Sequence, residues 1–360
     1  MLRIHAYDID RLISAASDTS SEGKNAAAQP ADAPPADALQ ADTSSSETLP
    51  VERQSSVVWY DLVNPTAEEE RQVSQCLGIA VPTMDEMEDI ELSARLYQED
   101  GAEFMTMTVL TRPDSGQPIK VPVTFIIKGQ ILVTVRHAEP RPFDAYMARA
   151  RKANGLGLHA ATGEMIMTGL IEAIIDRMAD TLERLGADID QISRDVFQAK
   201  ASKADKKQRD LQELIRAIGQ KGEFITITRE SLVSVSRVVA YYAALDGVDR
   251  KLSKEIRQRL KLLQRDATSL GDHSAFMSNK INFLLDATLG LINLEQNQII
   301  KIFSVASVMF LPPTLVASIY GMNFAYQPEL QWHYGYHVAI LLMICSMALP
   351  YLYFRRRGWL

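Results

Sequence analysis

The sequence predicts an α/β cytoplasmic domain with long amphipathic helices, followed by a long stalk helix and a two-span α-helical transmembrane region. Three observations lead to this fold class. Short apolar runs separated by turn residues fill the first part of the chain, apolar residues recur at helical spacing from Thr162 onward, and two charge-free apolar stretches lie near the carboxyl end. A length of 360 residues allows two or three such domains.

The composition limits the possible classes of function. The formal net charge is −7, which argues against a nucleic-acid partner and suits a domain that meets cations. Cys76 lies in a predicted cytosolic helix and Cys345 in an apolar span, so we expect no disulfide. The sequence contains no P-loop, nucleophile elbow or Cys/His metal cluster, so we expect no enzyme activity and no cofactor.

The amino-terminal part predicts the strands of the α/β domain. Residues 1–16 hold the first strand and begin the domain, and their charged side chains exclude a secretory signal. Residues 17–56 are mostly Ala, Pro, Ser, Asp and Thr, so we expect a disordered insertion. The domain continues over residues 57–160, with a turn at Lys128-Gly129. The predicted strands cover residues 2–7, 57–62, 104–111, 121–127 and 130–135.

A short segment at Thr83 and the long stretch 161–301 predict helices. Thr83 and Glu86 match a capping box that starts a short helix. Residues 161–247 predict two long amphipathic helices packed as an antiparallel pair. Residues 248–301 predict a stalk helix in which Gly271-Asp272 is a weak point. Apolar residues of the stalk alternate in steps of three and four, which is typical of a coiled-coil seam: Leu252, Ile256, Leu260, Leu263 and Leu270.

The carboxyl-terminal part predicts a membrane hairpin. Residues 302–320 and 336–354 form two spans, each near the roughly 20 residues that cross a bilayer. The external loop, residues 321–335, has no Lys or Arg, whereas Lys301 precedes the first span and a basic tail, residues 355–360, follows the second. By the positive-inside rule both termini are cytoplasmic, and the basic residues contact anionic membrane lipid.

A polar stripe runs along the stalk and into the first span. Its stalk members are Asn282, Asp286 and Asn293, and its continuation comprises Asn297, Ile300, Phe303, Ser304, Ser307, Leu311, Thr314 and Ser318. One interpretation is a solvated helix face followed by small contacts between membrane helices. The other is the lining of a hydrated pore. Two helices cannot enclose such a path, so the second interpretation requires several copies around an axis.

The outer end of the first span offers a candidate cation filter. Gly321 allows the chain to leave helical geometry, and Asn323 can direct an amide oxygen toward the axis, with Met322 between them. A simple turn between two spans also uses Gly and Asn, so both interpretations stand. Pro312-Pro313 either bends the first span and shapes the pore or is accommodated by neighbouring helices.

Several motifs resemble those of the CorA family of divalent-cation channels, and the resemblance covers most of the chain. The matching strings are Trp59-Tyr60-Asp61-Leu62, Asn293-Leu294-Glu295-Gln296-Asn297, Tyr320-Gly321-Met322-Asn323-Phe324, Pro328-Glu329-Leu330 and the final Arg355-Arg356-Arg357-Gly358-Trp359-Leu360. Gln327 departs from the family pattern, which usually has Met there, and so does the insertion after the first strand.

The resemblance implies a homopentameric inner-membrane channel that moves Mg²⁺, and also Co²⁺ and Ni²⁺, into the cell. It implies that Gly321, Met322 and Asn323 form the selectivity filter. It also implies that acidic residues bind regulatory Mg²⁺, and we consider Asp85, Glu86, Glu88, Asp89, Asp266 and Asp272 for this role. A solvated helix face is the alternative explanation of these carboxylates.

Two other functions remain open at this stage. A Zn²⁺ transporter of the same superfamily usually carries Ile in place of Met322. A membrane-tethered sensor or scaffold would use the coiled coil for signalling and the spans only as an anchor. Residues 302–320 and 338–354 contain no Asp, Glu, Lys, Arg or His, which disfavours proton-coupled transport.

Overall fold

The computed structural model describes residues 1–8, 11–16, 57–89, 91–111, 118–152, 162–198, 204–247, 251–322 and 332–358. The predicted insertion at residues 17–56 lies outside the described residues. The chain divides into two compact units. The first comprises Met1–Asp190 and Gly219–Ile281, and the second comprises Gln191–Ile218 and Asn282–Leu360.

A seven-stranded sheet lies in the first unit. Its strands are β1 (Leu2–Asp8), β2 (Arg11–Ala16), β3 (Val57–Val63), β4 (Leu96–Glu99), β5 (Ala102–Thr111), β6 (Ile119–Lys128) and β7 (Ile131–Arg136). The strand order is β2-β1-β3-β7-β6-β5-β4. β3 and β7 pair in parallel, and the other described neighbours pair antiparallel. This mixed sheet confirms the predicted α/β class.

All five predicted strands form, but two further strands were not predicted. β2 pairs with β1, and β4 pairs with β5. The β4–β5 connection is the two-residue turn Asp100-Gly101, where φ is 51° and 71°. Asp-Gly is the preferred sequence for a hairpin turn of this kind, so a local signal was present. β4 itself is only four residues long, which is too short for a clear alternating pattern.

The described helices are α1 (Ala67–Leu77), α2 (Met84–Glu88), α3 (Leu92–Arg95), α4 (Arg141–Lys152), α5 (Gly163–Gln198), α6 (Ala204–Ala244), α7 (Lys254–Tyr320) and α8 (Gly335–Arg356). Thr83 caps α2 as predicted, because its side chain accepts a hydrogen bond from the backbone of Glu86 while the Glu86 carboxylate accepts one from Thr83 N at 2.8 Å. Thr66 and Glu69 form a second capping box at α1.

A buried ion pair joins the parallel strands at the centre of the sheet. The Asp61 carboxylate on β3 accepts hydrogen bonds from Arg136 Nε at 3.0 Å, from Arg136 Nη2 at 2.7 Å and from Thr134 Oγ1 at 2.8 Å. The Arg136 and Asp61 side chains are only 1% and 3% exposed. The Arg136 guanidinium also lies 4.5 Å from the centre of the Phe143 ring on α4. The pair therefore ties two strands and a helix together.

The long helices of the first unit pack as predicted. Tyr242 on α6 donates a hydrogen bond to Glu164 near the start of α5, at 2.9 Å. Lys221, earlier on α6, pairs with Asp188, later on α5, at 2.6 Å. Since the contacts run in opposite directions along the two helices, α5 and α6 are antiparallel. The start of α5 lies very close to β7, because a Cβ at Gly163 would be 2.5 Å from the Leu132 nitrogen.

Stalk and first span form one continuous helix. α7 contains 67 residues, so it is about 100 Å long. It continues through Gly271-Asp272, predicted as a weak point, and through Pro312 and Pro313. Four of the five predicted seam residues are buried, and Leu270 is half-buried. With half-buried Leu270 included, the seam continues in the same steps of three and four through these buried residues: Ala267, Ser274, Met277, Ile281, Leu284 and Thr288.

Candidate ion pathway

The polar stripe and the buried seam occupy different sides of α7. Met277, Ile281 and Leu284 are at most 5% exposed. Asn282 lies between Ile281 and Leu284 in the sequence, Asp286 follows them, and both are exposed. An α-helix turns by about 100° per residue, which puts the stripe roughly opposite the seam. Packing within the chain therefore uses the apolar side and leaves the polar side free.

The predicted pore-lining residues are exposed along one side of α7. Asn293, Asn297, Ser304, Ser307, Thr314 and Ser318 are all exposed, as are Ile300, Phe303 and Leu311. The exposed fractions of Ile300, Phe303 and Leu311 reach 60%, 70% and 66%. With about 100° per residue, the stripe from Asn282 to Ser318 fits into an arc of roughly 120°. Large apolar side chains exposed to this extent require a covering surface, such as lipid or another copy of the chain.

Two hydroxyl groups of the stripe bond back to their own helix. Ser307 Oγ donates to the carbonyl of Phe303 at 2.9 Å, and Thr314 Oγ1 donates to that of Phe310 at 2.7 Å. Each hydroxyl hydrogen is thereby used, whereas the oxygen lone pairs remain available as acceptors. Acceptors of this kind can receive hydrogen bonds from the water shell of a cation.

Two adjacent prolines lie on the first span without ending the helix. In an α-helix the N–H of each residue donates to the carbonyl four residues earlier. Pro312 and Pro313 have no N–H, so the carbonyls of Val308 and Met309 receive no such hydrogen bond. The freed carbonyls lie between Ser307 and Leu311 of the stripe. They are further oxygen acceptors at the same level of the span.

The carboxyl-terminal end of α7 keeps its helical hydrogen bonding as far as Gly321. Gly321 N still donates to Ala317 O at 3.0 Å, and a Cβ at Gly321 would lie 3.2 Å from that oxygen. Gly321 directly follows Tyr320, the last residue of α7, and its backbone is not left-handed. Met322 is exposed, and Asn323 lies outside the described residues.

Residues in and next to the second span lie beside the end of the first span, and the sequence did not predict which ones. Gly321 and Tyr320 share a cavity of about 580 Å³ with Trp332, Gly335 and Ala339. Gly335 and Ala339 are buried, as expected where small residues let two membrane helices approach. Their spacing of four was the available signal. The cavity shows that the carboxyl-terminal end of α7 and the amino-terminal end of α8 are neighbours.

The candidate regulatory carboxylates are exposed and lie on or beside two different helices. Asp85, Glu86, Glu88 and Asp89 lie on and beside α2, and Asp266 and Asp272 lie on α7. Glu86 is already used by its capping box, and Asp89 Oδ1 accepts a 3.3 Å hydrogen bond from Glu91 N. Within the described ranges, no three His, Cys, Asp or Glu residues are grouped to hold a metal ion. A cation at these carboxylates would need ligands from water or from another chain.

Both apolar helices meet the length and composition of a membrane span. α7 and α8 each contain a stretch long and apolar enough to cross a bilayer, with only 6% of each stretch buried in the single chain. α8 ends in Arg355 and Arg356, and the guanidinium of Arg357 lies 5.8 Å from the centre of the Tyr353 ring. Basic side chains at this end fit an interface with lipid headgroups.

Comparison with known families agrees with this architecture. The family model described as CorA-like Mg²⁺ transporter protein matches residues 54–356. The chain belongs to the CorA family. Its membership confirms the resemblance that the motifs indicated, and it places the exposed stripe of α7 within a family of membrane transport proteins.

CorA proteins of known sequence and structure resemble the chain over most of its length. It is 36% identical over 307 residues to the magnesium transport protein CorA of Haemophilus influenzae, covering 85% of this chain and 93% of that protein. It is 37% identical over 309 residues to the Escherichia coli K12 protein of the same name, covering 85% and 92%. The complete structure of the CorA magnesium transporter from Methanocaldococcus jannaschii matches with a TM-score of 0.69 at 21% identity, over 84% of this chain and 91% of that chain. At this identity the last match concerns the fold.

Proposed function

We propose that this CorA-family protein is a homopentameric channel of the inner membrane through which Mg²⁺ enters the cell. The observation that carries the proposal is the exposed stripe of α7. It combines amides, hydroxyls and apolar residues on one arc and has no role in packing the single chain. The relatives that are 36% and 37% identical to the chain are named magnesium transport proteins.

Assembly of several copies explains why the stripe is exposed. One chain supplies two spans, which cannot surround a water-filled path. Closed rotational symmetry brings the same helix face of every copy to a common axis. The stripe of α7 would then line the lumen, and α8 would lie outside it against lipid. Five copies are the number implied by the resemblance to the family.

Neutral oxygen ligands suit the transport of Mg²⁺. This ion loses its water reluctantly, so amide and hydroxyl oxygens can hold it through its hydration shell. A ring of Asn323 would select the ion at the outer mouth, next to Gly321 and Met322, and a ring of Asn297 would hold it at the inner mouth. Apolar rings of Ile300, Phe303 and Leu311 would resist wetting and act as the gate, together with Ser304, where the lumen is narrow.

The membrane potential is a sufficient driving force. It supplies about 2.3 kcal/mol per elementary charge per 100 mV, so at 100 mV a divalent cation gains about 4.6 kcal/mol on entry. This corresponds to a gradient on the order of 10³-fold at equilibrium. We therefore propose uptake without a coupled ion, with both termini in the cytoplasm. Co²⁺ and Ni²⁺ would pass by the same route, and cytoplasmic Mg²⁺ would favour the closed state.

Uptake into proteoliposomes tests this function. Purified protein should take up Mg²⁺ when a negative internal potential is imposed, and a pH gradient should not be required; Co²⁺, Ni²⁺ and Zn²⁺ are compared in parallel. Asn323→Ala should abolish uptake and keep the oligomer, because it removes the amide ring. Gln327→Ala is the matched control, since it removes another amide from the same loop. Absence of potential-driven uptake by the wild-type protein would refute the channel, and wild-type uptake by Asn323→Ala would refute the filter.

A further inference from the structure

A large groove in the first unit is lined by an excess of basic side chains. It has a volume of about 730 Å³ and lies between β4, β5 and β6 of the sheet and the exposed side of α6. We call it the basic groove and define it by Arg95, Lys120, Arg229 and Arg237. Its size is within the usual range for small-molecule sites, roughly 300 to 1,000 Å³.

The positive charges of the basic groove are largely uncompensated. Among the described residues that line it, Glu230 is the only carboxylate, and its Oε2 pairs with Lys120 Nζ at 2.6 Å. Within the described part of the chain, Arg229 and Arg237 have no carboxylate partner. Arg95 donates through Nε to the backbone carbonyl of Asp89 and not to a carboxylate. Three guanidinium charges therefore remain, in a protein whose net charge is −7.

The basic groove is also held in a fixed shape. Thr108 N on β5 donates to Ser234 Oγ on α6 at 2.9 Å, which joins the sheet to the helix across the groove. Arg95 Nη1 donates to Thr108 Oγ1 at 3.4 Å, next to that contact. Arg229 and Arg237 are exposed and eight residues apart, so they lie on the same face of α6 with backbones about 12 Å apart. Two guanidinium groups thus flank a hydroxyl-lined centre.

We propose that the basic groove binds a phosphate-bearing anion of nucleotide size. Guanidinium groups bind phosphate oxygens through paired, charge-assisted hydrogen bonds, and hydroxyl groups can complete the set of donors. Because the two backbones are about 12 Å apart, Arg229 and Arg237 can each contact a different phosphate of one anion. None of the residues that line the basic groove belongs to the stripe of α7, so this proposal does not depend on the proposed ion pathway.

Binding is measured on the purified full-length protein by titration calorimetry with ATP and with inorganic tripolyphosphate. Both probes chelate Mg²⁺, so free Mg²⁺ is fixed by a metal buffer in every titration. We expect one site per chain and competition between the two probes. Tighter binding of ATP would show that the nucleoside is also held, and equal binding would assign the site to the phosphate chain. Failure of both probes to bind would overturn the proposal.

Substitutions locate the site. Arg229→Gln with Arg237→Gln should weaken binding at least tenfold, and each single change should weaken it severalfold. Arg71→Gln with Arg265→Gln is the matched control, since it removes the same charge from exposed arginines outside the groove. Gel filtration verifies that each variant keeps the oligomer, and single exposed changes should cost little stability. Unchanged affinity in the single and double groove variants, or equal weakening in the control, would overturn the assignment. A loss of assembly caused by the groove variants alone would assign the basic groove to contacts between copies instead.

Discussion

At the scale of single residues, an amide side chain of α7 has two possible roles: it lines a pore, or it forms an ordinary contact between helices. Asn297 is exposed on the stripe and lies one turn before Lys301. As a pore residue it would hold a hydrated cation, whereas as an interhelical contact it would contribute about 0.6 to 2 kcal/mol to association. The two roles differ in what a substitution changes.

We predict that Asn297→Leu blocks Mg²⁺ uptake with little change in the melting temperature of the oligomer. Leucine is similar in size but cannot accept a hydrogen bond from the ion's water shell. Uptake into proteoliposomes and thermal melting are measured on the same preparation. Asn279→Leu, on the same face of α7 but further from the membrane, is the control. A loosened oligomer with normal flux per assembled channel would favour the contact role.

We predict that Asp61→Asn destabilises the first unit by about 3 to 5 kcal/mol, because it leaves the buried Arg136 guanidinium without a counter-charge. Urea unfolding followed by tryptophan fluorescence provides the measurement, since Trp59 is fully buried beside the pair. Asp144→Asn, at an exposed position of α4, should change stability by less than about 0.5 kcal/mol. Equal stability of the two variants would show that the ion pair is not important for folding.

At the scale of elements, α1 is fixed to β1 by one carboxylate. Glu69 accepts hydrogen bonds from Thr66 N at 2.8 Å, from Leu2 N at 2.7 Å and from the Met1 amine at 3.0 Å. Burial raises the pKa of Glu69, but the hydrogen bonds from Thr66, the amine and Leu2 outweigh it and lower the pKa below 4.5. The carboxylate thus stabilises the folded chain in its ionised form.

We predict a pH-dependent contribution of Glu69 to stability. Because its folded-state pKa lies below the unfolded value of 4.5, the contribution is complete above that pH and is lost as the pH falls through the folded-state pKa. The melting temperature of wild-type protein should therefore exceed that of Glu69→Gln at neutral pH, and the difference should shrink in acid. Glu68→Gln, at an exposed position of the same turn, is the control. A difference that stays constant down to the lowest measurable pH would contradict this prediction.

At the scale of the whole molecule, we propose that acidic residues of different chains together hold a regulatory cation. Asp89 and Asp266 are exposed, and the described residues of one chain do not gather a metal site around them. A cation that bridges two copies would favour the closed assembly, since a ligand stabilises the state to which it binds.

We predict that millimolar Mg²⁺ slows proteolysis of the purified oligomer relative to a chelator. Asp89→Asn with Asp266→Asn should remove this protection while the wild-type oligomer size is retained. The same charge change in Asp144→Asn with Asp176→Asn, outside the candidate group, is the control. Equal digestion of wild-type protein with and without Mg²⁺ would remove the support for an internal sensor.

The sequence by itself determined the features that depend on local pattern. Short apolar runs between turn residues located five strands, steps of three and four located the long helices and the seam, and the charge-free stretches located both spans. The motif around Gly321 indicated the family. These features follow from the periods of helix and strand and from the thickness of the bilayer, so neighbouring residues are enough to predict them.

Only the tertiary structure decided which distant residues meet. Asp61 and Arg136 are 75 positions apart, and they pair because β3 and β7 lie side by side in one register. Likewise, Arg95, Lys120 and Arg237 come from a short helix, a strand and a long helix, and they line one groove only after the sheet has formed. No local period encodes such contacts, because they depend on strand order and on the packing of helices against the sheet.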